Sequence, residues 1–130
     1  MIAAMRLDGS TACLAIEGAT DAEVFRTYVE LVLVPTLRQG DIVVMDNLAA
    51  HKTEATLALI RAAGAEALFL PAYSPDLNPI EKMWSKVKNA LRSAAARTLP
   101  DLQDAIGDAL AKVTGSDAAN WFGSCGYSFI

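Results

Sequence analysis

Two carboxylates stand out by where they fall. Asp46 directly follows the run "DIVVM" (41–45), and Glu81 comes later, with residues 47–80, 34 of them, in between. A β-branched apolar run that ends in an acid reads as a buried strand presenting a carboxylate at its carboxyl end. Open α/β sheets gather their chemistry at that end. The intervening residues hold one helical pattern and a second strand-like run, which return the chain to the neighbouring edge of the sheet. A proline loop then delivers Glu81 at the start of a helix. Two like charges about 4 Å apart repel by about 4 kcal/mol at an effective dielectric of 20. Such a pair is protonated, kept apart by water, or neutralised by a cation, and Mg²⁺ or Mn²⁺ suits oxygen ligands.

Each residue also has a purely structural reading. Glu81 stands three after Asn78 in "NPIE", with Pro79 at the first helical position, which spells a capping box. Asp46 and Asn47 fit a simple Asx turn. His51, the one histidine, fits a surface residue, a neighbour of a helix start, a substrate contact or a metal ligand. Trp84 falls on an apolar helical stripe, where core packing is the ordinary role and base stacking the other.

The elements that position these residues follow from the pattern. "IAAMRL" and "TACLAIE" flank "DGS", and Asp-Gly signals a hairpin. From Asp21 to Arg38 the period turns helical, with Val24, Tyr28, Leu31 and Val32 as a stripe, Thr20 or Asp21 at the start and Gly40 past the end. Pro35 shortens or kinks its last turns. "EATLALIRAAG" reads as a helix closed by Gly64, and "AEALFL" (65–70) as another buried strand. A long helix spans 78–97, with Ile80, Trp84, Val87 and Leu91 on its apolar side. Another helix follows Pro100 (Leu102, Ile106, Leu110, Val113), and a short last one carries Trp121 and Phe122. This order predicts one α/β domain over 1–130, with a mixed sheet and helices on both faces.

The chain has 130 residues, 53% hydrophobic and 20% charged, which excludes disorder. No apolar run reaches the roughly 18 residues a membrane span needs, and "MIAAMRLDG" lacks the features of a signal peptide. Cys13 and Cys125 lack metal-type spacing and read as reduced thiols, so a cytoplasmic location is expected. The net charge is −4. Between Pro79 and Thr98, however, Lys82, Lys86, Lys88, Arg92 and Arg97 face the single acid Glu81. A local field of this kind decides encounter with phosphate, although an ordinary solvated helix face has the same composition.

"VVMDNLAAHK" followed by "LFLPAYSPDLNPIEKMWSKVK" resembles the DDE endonuclease domain of mariner-type bacterial insertion-sequence transposases. The matching residues are Asp46, Asn47, His51 and Lys52, then Leu70, Pro71, Tyr73, Ser74, Pro75, Asp76, Asn78, Pro79, Glu81 and Lys88. The 34-residue gap also matches that family's second and third acidic positions. "EGATDAEVFRTYVELVLVPTLRQGD" and the closing "CGY" look similar too. The resemblance implies an RNase H-like fold and Mg²⁺ or Mn²⁺ held by carboxylates, Asp46 and Glu81 among them. The implied chemistry is DNA cleavage with transfer of the freed 3′ hydroxyl to a new phosphate. DNA contacts then fall to His51, Lys52, Lys82, Lys86, Lys88 and Arg92. Asn47, Pro71, Tyr73, Pro75, Asn78 and Pro79 support the ligands, the prolines by removing backbone freedom.

The resemblance also marks a departure. The family's first acidic ligand belongs on the strand before the hairpin, and "MIAAM" matches the strand after it. Asp8 lies in the hairpin turn and Asp21 opens a helix, so neither substitutes. The expectation is an N-terminally truncated catalytic domain with a weakly held metal, inactive alone. Such families are often split between two reading frames, which fits association with an upstream-frame product or a homo-oligomer. A non-catalytic DNA-binding or assembly module and a degenerate remnant are the alternatives. When bound to DNA, the chain would sit at the nucleoid.

Overall fold

The computed structural model describes residues 2–15, 21–48, 51–72 and 74–127. Strands β1 (Ile2–Met5) and β2 (Thr11–Leu14) pair as the expected hairpin. Its turn needs a glycine: Gly9 adopts φ +89° and donates its N–H to Arg6 O at 3.0 Å. Asp8 Oδ1 accepts from Ser10 N at 2.8 Å, the Asx bond that keeps the turn tight.

Helix α1 (Ala22–Tyr28) starts at Asp21, whose carboxylate accepts from Val24 N at 2.9 Å. The coil then widens into a π-type turn over Val29–Leu33 and tightens into a 3₁₀ turn over Val34–Thr36, so Pro35 does close the helix. The buried face differs from the predicted stripe. Phe25, Tyr28, Val29 and Leu33 are inside, whereas Leu31 is 68% exposed. "VELVLV" is apolar on nearly every side, so its pattern does not choose a face. The large Phe25 ring has more area to bury than Val24 and takes the inside.

Strand β3 (Ile42–Met45), helix α2 (Glu54–Ala62) and strand β4 (Glu66–Phe69) form the predicted βαβ unit. β3 and β4 pair in parallel, with Ile42 beside Glu66 and Met45 beside Phe69. Gly64, at φ +82°, turns the chain from α2 into β4 and accepts from Gly40 N at 2.8 Å. The strands are not buried on both faces as expected. Val43, Met45, Ala67 and Phe69 pack on the core, while Ile42 and Leu68 are 62% and 49% exposed. Nor do the described residues form one mixed sheet: there are two separate two-stranded sheets. Ile2, Ala4 and Leu14 reach the core by side-chain packing rather than by hydrogen bonds to β3.

The chain divides into two compact units, Met1–Ala4 with Ala12–Asn78 and Met5–Thr11 with Pro79–Ile130. The first is built on Phe25, Tyr28, Val29, Leu33, Met45, Ile60 and Ala65. Tyr28 buries its ring there and donates its hydroxyl to Ala12 O at 2.7 Å, which ties α1 to β2. Burial pushes the Tyr28 phenol well up.

The second unit holds α3 (Ile80–Ala94), α4 (Leu99–Ala111) and α5 (Gly115–Ser124). α3 is shorter than predicted, because Ala95 adopts a left-handed conformation at φ 49° and stops it. Met83 and Val87 are its fully buried residues, so the inward face is turned by about one position from the predicted stripe. Thr98 caps α4, and Thr114 with Asp117 makes a full capping box on α5. The hairpin turn packs on this cap. A Cβ on Gly9 would lie 2.7 Å from Thr114 and Gly115 backbone atoms, so only glycine fits.

Candidate active site

Asp46 leaves the sheet where the sequence places it. Leu70 N donates to Met45 O at 2.8 Å, so the parallel ladder runs up to the residue before Asp46. Among the described residues, Asp46 accepts no bond of an Asx turn. Instead, the carboxylate turns towards His51, whose Nδ1 lies 2.8 Å from Asp46 Oδ1. Both atoms are buried, yet the ring N–H points off the line to the oxygen, so neither completes a hydrogen bond among the described residues. Two bare acceptors this close repel, so one of the pair carries a proton. His51 is seated by Phe25, the ring centroids 4.1 Å apart and the planes 30° apart. Predicted as a DNA contact, His51 has a side chain only 17% exposed and faces Asp46, which is itself 46% exposed. Lys52, next in the chain, is exposed and holds its ammonium 5.5 Å from the centre of the Phe69 ring.

The loop after β4 contains one short turn. Pro75–Leu77 form a 3₁₀ turn, with Leu77 N donating to Ser74 O at 3.1 Å and Asn78 N to Pro75 O at 3.0 Å. Pro71 is exposed and Pro79 buried, and Tyr73 lies outside the described residues. The capping box spelled by Asn78 and Glu81 is not formed. Pro79, ahead of α3, already has helical dihedrals (φ −57°, ψ −28°), and no side chain caps the helix. Asn78 is extended (φ −112°, ψ 102°) and buried, but its side chain makes no bond to the first N–H groups of the helix. Glu81 is exposed in the first turn; its carbonyl accepts from Ser85 Oγ at 3.3 Å, and its carboxylate has no hydrogen-bond or ion-pair partner among the described residues.

The spacing along α3 sorts its polar residues. Glu81, Ser85, Lys88 and Arg92 follow at four, three and four residues, which puts them on one exposed side. Lys82 is exposed on another side. Lys86 is different. Its ammonium donates to Lys112 O at 2.8 Å and pairs with Asp117, the residue that completes the cap of α5. The Lys86 hydrogen bond, and after it the Thr114 amide, holds the Asp117 carboxyl below its ordinary range. Lys86 is thus a brace between helices rather than a free cation. The pattern "TGSD" spells the capping box that Asp117 completes, but nothing in the sequence links Asp117 to Lys86.

Among the described residues, no three His, Cys, Asp or Glu side chains gather to hold a metal ion. The outward part of the Asp46 carboxylate, whose side chain is 46% exposed, is nevertheless an oxygen donor of the kind a hard cation takes. No described helix is long and apolar enough to cross a membrane. Fold and site together define a mixed α/β protein with an acid at a strand end and a second acid opening a later helix. Residues 1–103 match the DDE superfamily endonuclease family, and the chain belongs to it. Membership implies a DNA substrate and, in general, divalent-metal chemistry. No curated protein matches the chain.

Proposed function

We infer that residues 1–130 are part of the RNase H-like catalytic domain of a mariner-type insertion-sequence transposase. The observation that carries this reading is the family match over residues 1–103, which takes in both Asp46 and Glu81. In this reading the two carboxylates hold Mg²⁺ or Mn²⁺ through oxygen. A divalent cation so placed supplies activation of an attacking water or 3′ hydroxyl and stabilisation of the leaving oxygen. Asp46 contributes a carboxylate fixed at the end of β3, and the proline loop sets the approach of Glu81. Lys82, Lys88 and Arg92 bind the DNA backbone, with Lys52 beside Asp46.

The resemblance assigns a third carboxylate to which no residue of these 130 corresponds. Two ligands hold a hydrated cation loosely, so cleavage needs a further acidic strand supplied from outside this stretch. That supply makes association with an upstream-frame product, or with another copy, part of the same reading, and the setting is the cytoplasm and its nucleoid. A non-catalytic DNA-binding or assembly module is the second reading, favoured by the exposed cations of α3.

Nicking of supercoiled plasmid in Mn²⁺ tests this. It compares the 130-residue chain, the chain with a strand carrying the family's first aspartate fused ahead of it, and both with Glu81→Ala. No nicking by the first and Glu81-dependent nicking by the second are expected. Nicking by the 130 residues alone contradicts the two-carboxylate count, and DNA binding without nicking by either supports the module.

A further inference from the structure

His51 is the least accounted-for group in the first unit. A ring only 17% exposed, stacked on Phe25, sets its buried Nδ1 2.8 Å from one atom, Asp46 Oδ1, a close polar contact without a completed hydrogen bond. His51 N also donates to Leu48 O at 3.1 Å, which fixes the backbone that carries the ring. Phe25 belongs to the core cluster and is 5% exposed, so the platform beneath the imidazole is packed into the core. Asp46 Oδ1 is buried while its side chain is 46% exposed, so that exposure falls on Oδ2 and the β-methylene. The carboxylate is turned with one oxygen in and one out.

We propose that His51 is a positioning residue: seated on Phe25, it holds Asp46 Oδ1 inward and leaves Oδ2 as the single oxygen offered to a divalent cation. The metal part rests on the reading of Asp46 as a ligand; the clamp itself rests on geometry alone. An unclamped aspartate rotates about χ1 and χ2 and has to be ordered on each binding event. A clamped one has given up that freedom during folding. Histidine suits the role because its flat ring stacks on an aromatic while its edge presents a proton to the carboxylate. Outer-shell partners of this kind change metal affinity by about 10- to 100-fold when removed.

The test has two readouts on the full chain. In the metal-free protein, three-bond couplings to Asp46 Cγ report its χ1 rotamer. A single rotamer is expected in the wild type and an averaged one in His51→Ala. His51→Asn, whose amide can take the place of Nδ1–H, is expected to restore the single rotamer, and Phe25→Leu to loosen it. The second readout is Mn²⁺ affinity by electron paramagnetic resonance. A loss of about 10- to 100-fold is expected in His51→Ala, with partial recovery in His51→Asn. Unchanged couplings in His51→Ala overturn the clamp whatever the metal does. Changed couplings with unchanged Mn²⁺ affinity overturn its role toward the cation. If Asp46→Asn also leaves Mn²⁺ affinity unchanged, the ligand reading of Asp46 falls, and the couplings alone judge the clamp.

Discussion

Salt dependence of DNA binding separates the cations that are free from the one that is not. The sequence offers Lys82, Lys86, Lys88 and Arg92 as a basic footprint, but Lys86 is paired with Asp117 and bonded to Lys112 O. Three phosphate contacts from α3 contribute about −2.7 to the slope of log affinity against log salt, whereas four would contribute about −3.6, any contact by Lys52 adding equally to both. Between 50 and 200 mM salt, the first means a loss of about 40-fold and the second about 150-fold. Fluorescence anisotropy on a short labelled duplex, titrated with salt, reads this directly. Lys88→Ala or Arg92→Ala is expected to flatten the slope by about 0.9 each, and Lys86→Ala to leave it unchanged. A slope near −3.6 that drops on Lys86→Ala would refute the assignment of Lys86 as a brace. Binding that ignores salt would remove the footprint on α3 altogether.

The brace has its own signature in unfolding. Asp117 is held below its ordinary value of 3.8, so its contribution is complete above about pH 4 and fades as pH falls through the lowered value. Lys86→Ala is expected to lower the thermal midpoint at neutral pH and to weaken that acid limb; an unchanged midpoint across the range counts against it. Tyr28→Phe loses the bond to Ala12 O and is expected to cost about 1 kcal/mol in urea unfolding, and no loss would show that the bond contributes nothing. Asn78→Ala removes no cap bond, so it is expected to cost well under the roughly 1 kcal/mol of a working cap. A full cap cost would show that Asn78 does bond the start of α3.

Local chemistry was readable from the sequence where one residue decides the outcome. Asp21 caps α1, Asp8-Gly9 makes the turn, Gly64 ends α2, and the β-branched run gives β3 with Asp46 at its end. Choices between equivalent faces were not readable. Apolar residues surround Val29–Leu33 on most sides, and only packing on Ile60 and Met45 decides that Val29 goes in and Leu31 stays out. The motif "NPIE" spells a capping box, and the extended Asn78 with the helical Pro79 has the backbone of one, but the side-chain bonds are not made. His51 could be noticed as a lone histidine five residues after Asp46. Its Phe25 platform lies 26 positions earlier and meets it only through the fold. The pairing of Lys86 was hidden for the same reason, since Asp117 reaches it from a different helix.

The central claim is that Asp46 and Glu81 serve one divalent cation, and paramagnetic broadening by Mn²⁺ tests it most directly. In ¹⁵N-labelled chain at substoichiometric Mn²⁺, the amides around Asp46 and those around Glu81 are expected to broaden together. Both sets should sharpen again in Asp46→Asn and in Glu81→Gln. Broadening at one carboxylate without the other, or centred on the acidic side of α4 at Asp101, Asp104 and Asp108, would contradict a shared site.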